Sequence, residues 1–353
     1  MNDLSATTSL MHGIQQLLRR NFVLTLTVGY FIVMSALLPA FASSRNLANL
    51  SSNFWPLLSL VIGQLLVMIV GGIDLSQSSI MALASVCGAS LMCQSADPVV
   101  FAKAPLWNII FSEQGGIFAG SVFAVPAAVA VMLTVGILVG FFNGFAVAYL
   151  KMPPFIVTLV SMMFFSGAAI YLTASENITH LPTSFTALAQ KRVLLPIPVW
   201  IVAASAIVVH IILQHTAFGK KLYAVGLNAK AALISGINVP MVTLTAFTLS
   251  GFFAALGSVI YSARLEGGRP TLGQDLLLDV IGAAVIGGIS LFGGRGGVRD
   301  AFAGALFFTL LANSLNLMNL SFFIVNIVKG GVILLAAAAD AWRVGKSGGM
   351  SKR

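Results

Sequence analysis

Four polar side chains, Asp74, Asn143, Asn313 and Asn316, stand inside or at the ends of long apolar runs, and Phe155 follows Met152-Pro153-Pro154 at the start of another. Their chemistry is hydrogen bonding: amides and a carboxylate can pair across helices, or donate to and accept from a polyhydroxylated solute. Phe155 offers an aromatic face for a constriction or for packing. A charge at the bilayer centre costs about 2.5–3.5 kcal/mol on the insertion scale, so Asp74 must be paired, neutral or water-facing. Two readings of Gly71-Gly72-Ile73-Asp74-Leu75-Ser76 stay open. In one, the glycines break a helix and the exposed backbone lines a transport site; in the other, Asp74 is the N-cap of the next helix. Lys329 is the basic residue within a span and requires an acceptor or a snorkelling route.

Bond-making chemistry has no support. No H-E-x-x-H, G-x-S-x-G or G-x-x-x-x-G-K-[ST] string occurs, so no catalytic residue is assigned. His12, His180, His210 and His215 do not cluster with acids, and no metal site is assigned. Cys87 and Cys93 read as small apolar residues rather than ligands or a disulfide. Gly293-Gly294-Arg295-Gly296-Gly297 resembles an anion cradle but lacks P-loop spacing; a cytoplasmic turn with arginine anchors is the simpler account.

These residues must be held by membrane helices. The 353 residues are 58% hydrophobic and 8% charged, where a soluble domain carries about a quarter charged residues. Apolar runs predict spans near 22–41, 54–73, 76–93, 118–142, 153–173, 197–215, 240–262, 278–294, 300–318 and 322–340, an all-α polytopic bundle of about ten transmembrane helices. The third is weakened by Asp74 and Ser76-Gln77-Ser78-Ser79 at its start. The domain reading is a cytoplasmic segment 1–21, a transmembrane domain 22–340 and a cytoplasmic tail 341–353.

With the amino terminus inside, Arg19, Arg20, Lys151, Lys220, Lys221, Lys230, Arg295, Arg299, Arg343, Lys346, Lys352 and Arg353 fall in cytoplasmic segments, against Arg45, Lys103, Lys191, Arg192, Arg264 and Arg269 outside. That excess places both termini in the cytoplasm. Ala40-Phe41-Ala42 resembles a cleavage site, but run 22–41 is long for a signal core and reads as an uncleaved first helix. Outer loops 94–117 and 174–196 carry mixed charge and proline, as ordered loops around a vestibule would. Gly136, Gly140 and Gly144 form a double G-x-x-x-G for close helix packing, in the bundle or at a subunit seam. Val70–Leu75 and Ile286–Leu291 are similar strings, a weak trace of duplication.

The most informative stretch is Tyr223–Asn238, a helix-forming segment between two apolar runs, made basic by Lys220, Lys221 and Lys230. A chain with no nucleotide-binding loop but with such a cytoplasmic surface helix reads as a membrane subunit driven by a soluble motor that docks there.

Several strings, in consistent order from about residue 55 to 340, resemble the permease subunits of bacterial ABC sugar importers of the ribose, xylose and galactoside type. They are Gly71–Ser76, Asn143-Gly144 leading to Lys151–Thr158, Gly226-x-Asn228-x-x-Ala231-x-x-x-Ser235-Gly236-Ile237, Asp279 through Ser290-Leu291, Gly293–Gly296, and Asn313-x-x-Asn316-Leu317. The resemblance implies a permease dimer, homomeric or heteromeric, in the bacterial inner membrane. It implies a cytoplasmic ABC ATPase pair carrying ATP and magnesium, with no cofactor on this chain, and a periplasmic sugar-binding protein. It also implies that residues 217–238 form the coupling helix, with Gly226, Asn228, Ala231, Ala232, Ser235, Gly236 and Ile237 at the ATPase contact. Gln77-Ser78-Ser79 departs from the family pattern, as does the length of loop 94–117; autoinducer and branched-chain amino-acid permeases are more distant kin. The alternative is an ion-coupled secondary transporter of a small polar solute, which requires intramembrane acids; Asp74 and Asp279 are the candidates.

Overall fold

The structure, a computed structural model, describes residues 22–349 apart from Leu194. The segment 1–21, with His12, Arg19 and Arg20, and residues 350–353 lie outside the described residues. Each of the ten apolar runs carries a helix: α1 (Phe22–Leu37), α2 (Ser44–Ile69), α3 (Gln77–Met92), α5 (Ala124–Ala148), α6 (Pro154–Leu172), α8 (Ile197–His215), α11 (Val239–Arg264), α12 (Leu277–Gly287), α13 (Val298–Leu317) and α14 (Phe322–Gly349). Short helices α4 (Pro98–Phe101) and α7 (Thr183–Gln190), with two small hairpins, Phe111–Ser112 with Gly115–Gly116 and Arg192–Val193 with Leu195–Pro196, order the two longer loops. Helices α9 (Ala217–Leu227) and α10 (Ala229–Ile234) occupy the basic connection between α8 and α11. Helix α14 runs on to Gly349, so much of the expected tail is helical.

Six helices, α2, α5, α6, α8, α11 and α13, are long and apolar enough to cross a membrane. Helix α12 is different. Its 11 residues rise about 17 Å at 1.5 Å each, roughly half of a ~30 Å hydrocarbon core. It ends at Gly288 with φ +106°, a left-handed conformation that glycine adopts without strain.

Helix α11 is the hub, packing on α2, α3 and α5. The glycine stripe makes the closest of these contacts. A Cβ at Gly136 would stand 2.3 Å from the Gly251 carbonyl oxygen, and one at Gly140 would stand 2.5 Å from that of Phe247. The small-residue motif therefore works inside the chain, against α11, where backbone approach maximises van der Waals contact. Helix α1 joins the bundle through the Tyr30–Ser314 hydroxyl pair at 2.5 Å, and Phe41, in the turn that follows it, is fully buried in a cluster with Met34.

Candidate functional site

The polar residues sort into three places. The first is a buried knot where the helix path breaks between α2 and α3. Residues 70–76 are not helical, and Gly71 takes φ +82°. Asp74 is 1% exposed. Its Oδ1 accepts the Ser76 backbone N–H at 2.9 Å and the Ser76 hydroxyl at 2.6 Å, while Oδ2 accepts the Ser250 hydroxyl at 2.7 Å. Two chains of donors converge on this carboxylate. The Asn143 amide donates to the Ser76 hydroxyl at 2.8 Å, and the Gln77 amide donates to the Ser250 hydroxyl at 2.9 Å. Ser161 donates to Asn143 Oδ1, and Thr158 to the Ile73 carbonyl at 3.1 Å. A carboxylate has acceptor sites for all three of its donors, and charge-assisted bonds are the strong ones. The knot thus ties α3, α5, α6 and α11 to the broken segment. Both readings of Asp74 are partly realised: the helix is broken, and Asp74 serves the start of α3, although Ser76 occupies the N-cap position. Nearby, both amide atoms of Gln64 and Oε1 of Gln77 are buried without a hydrogen-bond partner.

The similar string after α12 forms a second break, residues 288–297. There Asp340 of α14 supplies the carboxylate: its Oδ2 accepts the Leu291 N–H at 3.2 Å and the Ser290 hydroxyl at 3.3 Å. At both breaks an acid satisfies a backbone N–H and a serine hydroxyl that the helix has released. The acid is local in one and comes from another helix in the other, which accounts for the Asp-to-Ser difference between the strings.

The second place is the α9–α10 pair. It is two helices, not one, because Asn228 is extended (φ −162°, ψ 99°) and its side chain accepts the Ala231 N–H at 3.0 Å, starting a new helix. The inner face is seated tightly. A Cβ at Gly226 would lie 1.7 Å from the Ile69 carbonyl oxygen and 2.6 Å from the Gly294 nitrogen. Gly294 itself donates to the Ile69 carbonyl at 2.9 Å, and the Tyr223 hydroxyl donates to the Gly296 carbonyl at 2.7 Å. Burial, and secondarily Asp300, push the Tyr223 hydroxyl above its ordinary pKa, keeping it a donor. So α9 rests where the end of α2 meets the loop before α13. The outer face shows Leu227 (71% exposed), Leu233 (61%) and Ile234 (87%) beside Lys230.

The third place is a cavity of about 330 Å³ at the opposite end of α2 and α13, closed also by α11, α12 and α14. Asn46 and Asn313 exchange amide hydrogen bonds at 2.8 and 2.9 Å. Arg264 reaches the side-chain oxygens of Asn53 and Asn49 at 2.5 and 3.0 Å. The Lys329 ammonium pairs with Asp279 Oδ2 at 2.8 Å, which answers the need for an acceptor.

The family described as the branched-chain amino acid transport system permease component matches residues 46–337. The chain belongs to that family. It is 34% identical over 312 residues to the ribose import permease protein of Bacillus subtilis (strain 168), covering 88% of both chains. It is 29% identical over 343 residues to the galactose/methyl galactoside import permease protein of Haemophilus influenzae, covering 94% of this chain and 96% of the relative. To the xylose transport system permease protein of that organism it is 30% identical over 363 residues, covering 85% and 90%. No solved structure matches. This chain is a permease component, a transport subunit and not an enzyme.

In this permease the five residues singled out as a pathway do not share one site. Asp74 and Asn143 belong to the closed knot, Asn313 and Asn316 line the cavity, and Phe155 lies on the outside of α6, 54% exposed. The seven residues expected at an ATPase contact also divide. Asn228, Ala231, Ser235 and Gly236 are exposed, Ile237 is half-buried, Ala232 is buried, and Gly226 is wedged inward. Sequence reasoning passed over Leu227, Leu233 and Ile234. The signal was there: three large apolar residues in a short basic segment outside any span.

Proposed function

We propose that this permease is the membrane subunit of an ATP-driven sugar importer of the bacterial inner membrane, multi-pass, with both termini in the cytoplasm. In this reading 22–340 is the transmembrane domain and all ten helices lie in the bilayer, α3 and α12 as shortened members flanking the breaks. Two copies, alike or different, form the translocation pathway. A periplasmic binding protein delivers the sugar, and a cytoplasmic ABC ATPase, carrying ATP and magnesium, binds the α9–α10 surface.

One observation carries the proposal: α9–α10 shows Leu227, Leu233 and Ile234 outward while its inner face is locked onto the ends of α2 and the 288–297 loop. An apolar patch rimmed by polar residues on a connection between helices fits a protein partner. Its inner seating supplies the mechanical link that a motor needs. Lys220, Lys221, Lys230, Arg295 and Arg299 gather at this end, as the positive-inside rule expects of a cytoplasmic face. The sugar cargo is supported by the names of the relatives and by the amide-rich cavity. An ion-coupled carrier loses its candidate acids, since Asp74 is held by Ser76 and Ser250 and Asp279 by Lys329.

The test is reconstitution with an ABC ATPase and a sugar-binding protein, measuring ATP hydrolysis across pentoses and hexoses. Stimulation by one sugar is expected. Uptake that instead follows an imposed proton or sodium gradient, without ATP, would refute the reading.

A further inference from the structure

We propose that the cavity between α2, α11, α12, α13 and α14 is a solute subsite within a single protomer, built for a neutral monosaccharide. The assignment rests on the sugar-import reading and specifies where inside this chain the sugar pauses.

The walls hold hydrogen-bonding groups in two states. Asn46 and Asn313 are spent on one another, which fixes the spacing of α2 and α13. Others are unspent among the described residues: the Asn316 amide, the Asn49 side-chain nitrogen, the Tyr261 hydroxyl and the Asp275 carboxylate make no side-chain hydrogen bond, yet all line the cavity. Asn49, Asp275 and Asn316 are exposed and Tyr261 is partly buried, so these groups are open to whatever fills the cavity, water or a ligand. The orientation of the amides is also set. Arg264 takes the Asn49 side-chain oxygen, so its nitrogen is left to donate into the cavity. Donors and acceptors that share one small space match the hydroxyl, which is both at once.

Charge and size narrow the class. The Lys329 ammonium is engaged by Asp279 Oδ2 and the Arg264 guanidinium is held by Asn53 and Asn49, so an anionic solute would have to displace these contacts and would face Asp275 and the second Asp279 oxygen. A cationic solute would lie beside Lys329. A neutral polyol meets neither penalty and can donate to both carboxylates. A volume of about 330 Å³ lies at the small end of ligand pockets, about 300–1,000 Å³, suiting one sugar ring rather than an oligosaccharide. The position is apt as well. The cavity sits at the ends of α2 and α13 remote from α9, the side that faces the delivered sugar in the importer reading.

The experiment is site-directed protection. In a Cys87→Ala, Cys93→Ala background, Asn316→Cys and Asn49→Cys permease, assembled with its ATPase in proteoliposomes, are labelled with a membrane-impermeant maleimide. Arg45→Cys, exposed and outside the cavity, is the control. D-ribose, D-xylose and D-galactose are the probes, and import of each is measured in parallel with the binding protein added. The transported sugar should slow labelling at both cavity positions several-fold and leave Arg45→Cys unchanged. Tyr261→Phe should raise the sugar concentration needed for half-protection. Import of a sugar that leaves both cavity labelling rates unchanged would overturn the subsite while sparing the import reading, as would cavity positions that do not label. Import of none of the sugars would overturn the import reading, and the subsite with it.

Discussion

Asp279 and Lys329 are 50 positions apart in sequence and meet at 2.8 Å inside the bundle. Removing one partner of a buried pair costs about 3–5 kcal/mol because it leaves a charge without compensation. Lys329→Met should therefore lower the thermal midpoint of the detergent-solubilised permease sharply. The double variant Asp279→Leu, Lys329→Met should recover most of that loss; failure to recover would show that the pair does more than neutralise itself. The knot behaves differently. Asp74→Ala strands the Ser76 N–H and the Ser76 and Ser250 hydroxyls, each worth about 1–3 kcal/mol when buried unpaired, whereas Asp74→Asn keeps an acceptor. Thermal midpoints should rank wild type, Asn, Ala, with transport following stability. Transport lost in Asp74→Asn at unchanged stability would return Asp74 to the pathway. The sequence marks each of these acids as needing a partner but does not say which, because the partners, Ser250 for Asp74 and Lys329 for Asp279, arrive from helices remote in the chain. The same holds for Asn46 and Asn313, 267 positions apart.

At the scale of elements, the inner and outer faces of α9–α10 should separate by mutation. Ile234→Glu places a charge on a side chain that packs on little of this chain, so the permease should insert and retain its thermal midpoint while failing to co-purify with the ATPase. Gly226→Val acts on the other face. Its side chain has no room against the Ile69 carbonyl, so the seat itself should open, with lower stability and ATP hydrolysis no longer responsive to solute. Equal ATPase retention by Ile234→Glu and wild type would remove the docking role. Element positions were legible because apolar runs and glycine breaks are local signals: Gly71 and Gly288 fall at the two helix interruptions. The segment 217–238 reads as one helix in the sequence, and Asn228 divides it because its side chain caps a second helix, a bond that residue spacing alone does not reveal.

For the molecule as a whole, the placement of lysine and arginine predicts which face meets the cytoplasm. In right-side-out vesicles of the Cys87→Ala, Cys93→Ala background, Arg45→Cys should react with an impermeant reagent while Ser235→Cys, exposed beyond α10, should react only in inverted vesicles. The reverse pattern would invert the topology read from lysine and arginine placement. Fold class followed from composition, since 58% hydrophobic residues permit little else. The cavity did not, being a property of five helices brought together.

The seat of Gly226 on Ile69 has one more implication. Ile69 ends a helix of 26 residues, about 39 Å of rod, whose other end carries Asn46, Asn49 and Asn53. A rod gripped at one tip is a lever, and Pro56, which removes one N–H from its hydrogen-bond ladder, is the point where this one yields. Tilting it by about 5° about that tip swings the far end by roughly 3 Å, a large fraction of the width of a sugar ring. The amide pair to α13 and the Arg264 clamp sit at the swinging end, so the cavity at that end would change its aperture in proportion to a displacement imposed at the other end of the helix. One glycine contact would then set the gain of the machine.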